Sequence, residues 1–385
     1  MGRIGAPRPC VKSVSTAAAA VLVACSTTVL SESGATEDNL LLGIGSVWLM
    51  PSGLPTGAGA WRHTKGNTFW GNRSWWEHYT AVRDRDAAML RASLGEHPRA
   101  TAIVYFEQYL ADAAGRGSHA PLDRLDEAFG HFANSGVRPA LFFGDPEFTA
   151  AGTWATTHDV VRNRTARAYL LQNMATALAL PNVSQHAAFA TLYWVGGSAR
   201  CLDSHDPCTE EMIAGYLQEL VAMAAKAGIP FVAHVDGPFW AGCPTAPCPD
   251  WDVGGFSPGS LRAGGVAGVM AESWAQGNLG VAAAELIRQG GATASTLQML
   301  CDVPNCDLSA RPCSTGNVDS DNDYWFRTIN ALGLSSWGVW DLIDGGVGDP
   351  NEYGDVLNNG SGLTRKGQIH AAHARAASRS DLRAD

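Results

Sequence analysis

The sequence predicts a closed (β/α)₈ barrel, the TIM-barrel fold, formed by a single domain. Eight times between Gly43 and Asp344 a short apolar run ends in acidic, aromatic and glycine residues, and a helix-like stretch usually follows. Repeated strand–helix units indicate parallel strands that are joined by crossovers. A hydrophobic content of 46% supplies a core, and the 43 glycines and 19 prolines suit a fold with many loops.

Each strand is predicted from an apolar run of strand length. In chain order the strands cover residues 41–50, 101–107, 138–145, 187–194, 230–236, 266–272, 296–302 and 335–342. The helices are expected at residues 75–94, 121–135, 157–180, 209–227, 279–289, 321–332 and 363–377. Pro121 is a favourable first helical residue, and Gly228 lies where a helix would end.

The N-terminus has the pattern of an export signal. Arg3, Arg8 and Lys12 precede an apolar run at 17–24, which is too short to span a bilayer but long enough for a signal core. We therefore predict a signal peptide at 1–25, a barrel domain at 38–378 and a C-terminal tail at 379–385. The alternative is a lipoprotein leader that is acylated at Cys25, because Leu22-Val23-Ala24-Cys25 resembles a lipoprotein cleavage box. No later segment is apolar enough to cross a membrane.

The cysteines support an exported protein. Six of the seven that follow the leader could close short loops as disulfides, in the pairs Cys201–Cys208, Cys243–Cys248 and Cys301–Cys306. Cys313 would be the odd thiol. A zinc site is the alternative, but no Cys-x₂-Cys pair occurs and no His is spaced to complete a site. Four sequons permit glycosylation in a eukaryotic host, at Asn72, Asn163, Asn182 and Asn359.

The charge of the chain argues against several partners. The net charge is −10, and removing a leader with three positive charges and no acids takes it to −13. A chain this acidic, with isolated Lys and Arg residues, is poorly suited to nucleic acid or an anionic membrane surface, so a neutral partner fits better. We predict no cofactor and no metal, because the acidic run 319–323 lacks the glycine and distal Glu of an EF-hand.

Carboxylates lie at or just past the ends of most predicted strands. They are Glu107, Asp145, Glu147, Asp236, Glu272, Asp302, Asp341 and Asp344. Helix capping explains any one of them, but it does not readily explain so many acidic strand ends. In a barrel these ends meet at one mouth, where clustered acids can be driven into different protonation states. Acid–base catalysis by two carboxylates needs that difference.

Tryptophans share the same positions. Those at or near strand ends are Trp48, Trp194, Trp240, Trp274, Trp337 and Trp340. Core packing explains some of them, but tryptophan beside loop glycines indicates exposed platforms. Flat aromatic faces next to carboxylates suit sugars, which have apolar C–H faces and hydroxyl edges.

Three strands carry the sharpest pattern. Alternate strand residues share a face, so Asp236 lies on one face with His234, Glu272 with Met270, and Asp341 with Trp337. If those faces point inward, the three acids meet at the barrel mouth. His234 itself fits a packed, hydrogen-bonded histidine better than a catalyst.

These features resemble the barrel glycoside hydrolases. The likeness is strongest where Trp337-Gly338-Val339-Trp340-Asp341 is followed by Asn351-Glu352-Tyr353-Gly354-Asp355 and Leu363-Thr364-Arg365-Lys366-Gly367. Many such hydrolases end with an aromatic eighth strand, a Tyr-Gly loop and a Lys before the last helix. The largest clan has a Glu at the ends of strands four and seven, whereas here these strands end in Tyr193-Trp194 and Asp302. That clan's catalytic pair is therefore not carried over, and no numbered family is assigned.

The resemblance implies a secreted glycoside hydrolase that acts on a poly- or oligosaccharide. Glu272 would be the general acid, Asp236 the nucleophile or base, and Asp341 would position the substrate or hold a proton network. The substrate-binding candidates are Glu107, Asp145, Trp194, Trp240, Trp274, Trp337 and Trp340. Retention or inversion would depend on a carboxylate separation of about 5–5.5 Å or 6.5–9.5 Å. The alternative is a non-catalytic carbohydrate-binding barrel that has lost its acid pair, which the missing strand-four Glu favours.

Overall fold

The computed structural model of this protein describes a set of ranges that belong to one compact unit, residues 37–385. The ranges are 46–48, 70–71, 73–112, 117–144, 157–192, 208–235, 258–273, 294–299, 336–339 and 362–381, with positions 319, 323, 326 and 327. Within them only the backbone is described at several positions, including residues 46–48, 271–273, 294–299 and 336–339.

Eight parallel strands close into a barrel. They are β1 Ser46–Trp48, β2 Thr101–Glu107, β3 Arg138–Gly144, β4 Ala190–Leu192, β5 Phe231–Val235, β6 Gly268–Ser273, β7 Ala294–Met299 and β8 Ser336–Val339. Each strand pairs with the next in the chain, and β8 pairs with β1 to complete the ring. The predicted (β/α)₈ barrel is therefore confirmed.

The described helices surround this barrel. They are α1 Arg73–Ser93, α2 Ala120–Asn134, α3 Thr157–Arg162, α4 Arg164–Leu178, α5 Pro181–His186, α6 Glu210–Lys226, α7 Pro258–Gly264 and α8 Arg365–Asp381. A 3₁₀ turn at Gln108–Ala111 and the helix α7 were not predicted from the sequence. In the part of the chain that the structure describes, no helix has the length and apolar character needed to cross a membrane. The predicted helix at 279–289 lies outside that part.

The chain between strands three and four differs from the prediction. Instead of one helix at 157–180 it forms α3, α4 and α5. Asn163 interrupts the helix because its backbone is extended and its side chain accepts two backbone N–H hydrogen bonds, which caps α4. Pro181 then begins α5, so β4 starts at Ala190 and not at position 187.

Strands β2 and β3, whose side chains are described, bury both of their faces. On one face Val104, Phe106 and Phe143 join the apolar cluster that packs under the helices. The alternate residues Ile103 and Phe142 are equally inaccessible to solvent and belong to the opposite face. In a closed barrel the opposite face is the interior, which is filled by side chains. The set to which each described strand residue belongs, interior or helix-facing, therefore follows from its position in this alternation.

Candidate active site

The structure describes three of the sequence-predicted site residues. Glu107 ends β2 with its side chain described, whereas Glu272 in β6 and Trp337 in β8 are described by their backbone. The other candidates lie outside the described residues: Asp145, Asp236, Asp341, Trp194, Trp240, Trp274 and Trp340. Their positions at the mouth remain predictions.

Glu107 lies at the carboxyl end of β2 and is only 2% exposed. It alternates with Ile103 and Tyr105 and therefore belongs to the interior face. Its register partner on the next strand is Gly144, the last residue of β3. A buried carboxylate at a barrel's carboxyl end is the kind of group that catalytic or binding sites of this fold use.

Tyr105 is the partly exposed member of the same face. Its ring stacks on Phe142 with centroids 5.9 Å apart and planes 24° apart. Its phenol lies against the backbone of Gly144, where a Cβ would overlap with the hydroxyl oxygen. Glycine is therefore required at the end of β3, because it makes room for a tyrosine that extends toward the mouth. The sequence analysis missed Tyr105, although it lies two residues before Glu107.

His234 lies deeper on the interior face. It is completely buried, and its imidazole packs edge-on against Phe142 with centroids 5.1 Å apart. Its register partner on β6 is Met270. These contacts agree with the prediction of a packed histidine, since the ring lies beneath the mouth among aromatic and apolar side chains.

The backbone register fixes the level of Glu272. Glu272 is the register partner of Gln298 on β7, and Gln298 is the register partner of Gly338 on β8. The residue before Glu272 is Ala271, which is the register partner of Val235 on β5. Glu272 is two residues beyond Met270 and belongs to the same alternate set. Asp236 follows Val235 in the chain and lies outside the described residues.

The two described acids belong to opposite sides of the ring. Glu107 is on β2 and Glu272 is on β6, which are four strands apart in a closed barrel of eight. Both are at carboxyl ends, so both belong to the rim where active sites of this fold are built. The ring thus brings together residues that are far apart in the chain.

Three hydrogen bonds support the end of β2. Gln108 follows Glu107, is fully buried, and accepts a 2.9 Å hydrogen bond from the side-chain amide of Asn173 on α4. Trp70 donates from its indole nitrogen to the carbonyl oxygen of Tyr105 at 2.7 Å. Arg124 on α2 donates to the carbonyl oxygen of Trp70 at 2.5 Å. These polar contacts were not predicted, because they join positions 35 to 65 residues apart.

No metal site is evident in the described ranges. They contain no group of three or more His, Cys, Asp or Glu side chains that could hold an ion. The acids beyond β3, β5 and β8 lie outside those ranges, so the prediction that the protein needs no metal stays a prediction.

Comparison with known proteins supports the fold. No protein-family model and no curated protein matches the sequence. Among solved structures, the chain is similar to an exo-β-1,4-mannosidase from Opitutaceae bacterium strain TAV5, with a TM-score of 0.59 and 12% identity. The match covers 88% of this chain and 60% of the mannosidase, so this chain spans less than two thirds of that protein's length.

Two other solved structures have the same architecture. The β-glycosidase BGL167 matches with a TM-score of 0.53 and 12% identity, over 88% of this chain and 97% of its own. The endo-β-1,4-mannanase from Thermotoga petrophila matches with a TM-score of 0.51 and 9% identity, over 87% and 76%. The predicted resemblance to barrel-type glycoside hydrolases is thereby confirmed at the level of the fold, and no specific family is assigned.

Proposed function

We propose that this protein is a glycoside hydrolase that cleaves glycosidic bonds in a poly- or oligosaccharide by carboxylate acid–base catalysis. The observation that carries the proposal is the pair of acids, Glu107 and Glu272, at carboxyl ends on opposite sides of one closed barrel. The similarity in fold to a mannosidase, a glycosidase and a mannanase adds support.

The proposed roles follow from position on the ring. Glu272 acts as general acid, protonating the leaving-group oxygen, while Asp236, which follows the adjacent strand β5 in the chain, serves as nucleophile or base. Asp341 positions the substrate. Glu107 lies across the ring from Glu272, so we assign it to substrate binding. The partly exposed phenol of Tyr105 can donate a hydrogen bond to a sugar hydroxyl from the same wall.

Tryptophans beyond the strand ends complete the proposed cleft. Trp194, Trp240, Trp274 and Trp340 would offer flat apolar surfaces to the C–H faces of sugar rings. Their indole N–H groups could also bond sugar hydroxyls at the edges. Trp337 is not among these tryptophans, because it lies within β8 and alternates with Ser336 and Gly338, the register partners of the interior set, so the prediction that Trp337 shares the mouth with Glu272 is wrong. The strong negative charge of the chain favours a neutral glycan over a polyanionic one.

A second candidate is a barrel that binds carbohydrate without cleaving it. The feature that favours it is strand four, where β4 ends at Leu192 and the sequence continues Tyr193-Trp194 with no carboxylate. Such a protein would keep the aromatic platforms and lack the catalytic pair.

The experiment that separates the two candidates uses the purified chain on a panel of neutral β-glycans, among them mannan, glucan and galactan. Hydrolysis is measured as new reducing ends and binding as retention on the insoluble polymer. Reducing ends from at least one glycan support the hydrolase. Retention without reducing ends supports the binding barrel. Neither retention nor cleavage on any glycan would overturn both.

We also propose that the protein is exported, through the signal peptide at 1–25 or as a lipoprotein anchored at Cys25. Cys208 supports export, because it is buried and disulfide-bonded and its partner lies outside the described residues. Mass spectrometry of the secreted chain, with and without reduction, tests this proposal. A mature chain that keeps residues 1–25 and has only free thiols would contradict it.

A further inference from the structure

The register of the barrel fixes the height of each interior residue along the barrel axis. A line of register partners that starts on β2 and passes through β3 to β8 and then β1 returns to β2 eight residues nearer its amino end. This is the shift expected for an eight-stranded barrel of this fold. Because the shift is spread evenly over eight strands, residues at equal height lie one residue further along on each successive strand.

A described side-chain contact agrees with this geometry. The register line from Phe142 passes through Thr191 to Val232, two strands further round the ring. The residue of β5 at the height of Phe142 is therefore His234, two positions beyond Val232. The rings of Phe142 and His234 do meet, with centroids 5.1 Å apart, although β4 separates their strands. Layers that are made by alternate strands in this way fill the interior of barrels of this fold.

The same construction places Tyr105 and Glu272 in one layer. The register line from Tyr105 runs through β3, β4 and β5 and reaches β6 at Gly268. Four strands have then been passed, so the residue of β6 at the height of Tyr105 lies four positions further along, and this residue is Glu272. Because β2 and β6 are opposite strands of the closed ring, Tyr105 and Glu272 occupy opposite positions of this layer.

This layer is the deepest that solvent reaches on the side of β2 and β3. Tyr105 is partly exposed, whereas Phe142 and His234, in the layer beneath it, are completely buried. A ligand that enters the mouth on this side is therefore stopped by the ring of Tyr105 and by the closed layer below. The mouth ends there at the height of Glu272.

The ring of Tyr105 also closes the wall of β3 at this height. It stacks on Phe142, and its hydroxyl oxygen occupies the place that a side chain at Gly144 would take. The phenol thus fills the space beside the end of β3, and it leaves no room there for a substituent on a bound sugar ring. Removing the phenol would open a space of that size next to Gly144.

We propose that Tyr105 is a specificity-determining residue, which admits an unbranched sugar ring at the cleaved bond and excludes a ring that carries a branch toward β3. The inference rests on the proposed function, in which Glu272 protonates the oxygen of that bond. Since Tyr105 lies at the same height across the mouth, the sugar ring next to the bond contacts the phenol. The substrate is therefore a neutral glycan that is linear at the cleaved sugar.

The test compares linear and branched forms of the same oligosaccharide. The probes are mannohexaose, cellohexaose and galactohexaose, each in its linear form and with a one-sugar branch on every inner residue. New reducing ends give kcat/KM for each form, and titration calorimetry in the Glu272→Gln background gives the affinity without cleavage. The unaltered protein should prefer the linear form by about tenfold or more, the size of effect that one steric misfit produces in a binding pocket.

Two variants separate the ring of Tyr105 from its hydroxyl. Tyr105→Ala removes the ring and should lower the preference for the linear form by about tenfold, chiefly by raising kcat/KM for the branched form. Tyr105→Phe is the matched control, because it keeps the ring and should leave the preference unchanged even where turnover falls. Circular dichroism checks the fold of each variant. If Tyr105→Ala does not fold, Tyr105→Leu replaces it, since the shorter side chain does not reach Gly144.

The outcomes separate this inference from the proposed function. Cleavage with the same preference in Tyr105→Ala as in the unaltered protein overturns the inference and leaves the hydrolase standing, and so does cleavage of both forms at equal rates by the unaltered protein. Binding without cleavage removes the hydrolase, and the inference is then decided by the affinities, which should show the same preference and its loss in Tyr105→Ala. Absence of both binding and cleavage overturns the two together.

Discussion

The phenol of Tyr105 lies against the backbone of Gly144, so closely that no other residue can replace the glycine without moving the ring. This contact joins the ends of β2 and β3 at the barrel mouth. It also aligns Tyr105 on Phe142 and leaves the tyrosine partly exposed. The relationship explains how an aromatic side chain from the barrel interior reaches the rim.

Gly144→Ala should therefore displace Tyr105. Overpacking of this kind costs about 1–3 kcal/mol in the free energy of unfolding. Urea denaturation followed by tryptophan fluorescence measures the change. Gly362→Ala is the matched control, because its Cβ would meet nothing within 4 Å, and it should be close to neutral.

A second substitution should relieve the strain. In the Gly144→Ala background, Tyr105→Leu removes the ring that the new methyl group meets, so the double variant should lose less stability than the sum of the two single variants. Additive losses would contradict the described contact.

The hydrogen bond between Asn173 and Gln108 supports the position of Glu107. Asn173→Ala should lower the free energy of unfolding by about 1–3 kcal/mol, because the buried oxygen of Gln108 loses its donor. Gln172→Ala, the exposed neighbour on α4, should change it by less than about 0.5 kcal/mol. Chemical denaturation compares them, and equal effects would show that the buried bond contributes nothing.

Lys366 predicts a pH dependence of stability. It is buried at the start of α8, and desolvation lowers its pKa to about 7, against about 10.4 for an unfolded lysine. Between these values the unfolded chain binds a proton that the folded chain does not, so stability rises as the pH is raised from 7 toward 10. Lys366 should raise the free energy of unfolding by up to about 1.4 kcal/mol for each pH unit in this range.

The neighbouring groups extend this trend to lower pH. His370 and His373 lie on the same helix, and desolvation by burial is the main cause that lowers both of their pKa values. The charge on Lys366 also lowers the pKa of His370, whereas Asp323 acts in the opposite direction on His373. The folded chain should therefore lose further stability as the pH falls below about 6.5, where unfolded histidines become protonated.

Thermal unfolding at pH 7, 8 and 9 measures the contribution of Lys366. The unaltered protein should unfold at a higher temperature as the pH rises, and Lys366→Met should flatten that rise and be more stable at pH 7. Lys226→Met removes an exposed lysine at the end of α6 and should leave the slope unchanged. A slope that survives Lys366→Met would contradict the assignment.

Binding at the β2 wall can be tested on whichever glycan the protein cleaves. Tyr105→Phe removes one hydroxyl and should lower kcat/KM about tenfold, the order expected from one lost hydrogen bond to substrate. His234→Gln lies beneath the mouth and should affect stability more than turnover, because His234 packs on Phe142. The reverse order of effects would reassign the two residues.

The barrel itself could be predicted because its signal is repeated. Each apolar run and each following helix adds to one pattern, and the acidic ends of β2 and β6 follow from that pattern. The break at Asn163 was missed because a capping asparagine inside a helical pattern is also a common surface residue. Pro181 was the available signal that a further helix would precede β4.

The polar and aromatic support of the mouth could not be predicted in the same way. The contact of Tyr105 with Gly144 and that of Gln108 with Asn173 depend on the strand register and on how the helices pack against the barrel. Local sequence shows neither. The alternation of residues along β2 did indicate that Tyr105 and Glu107 share a face, which was the one available signal for the tyrosine.

The measurement that tests the central claim most directly compares Glu272→Gln with the unaltered protein on the glycan that gives the most reducing ends. Loss of the proposed general acid should lower kcat by about 10²–10⁴-fold. Thermal stability and retention on the polymer should stay unchanged, because the substitution preserves shape. A variant that turns over at close to the normal rate, with the same fold, would contradict the account.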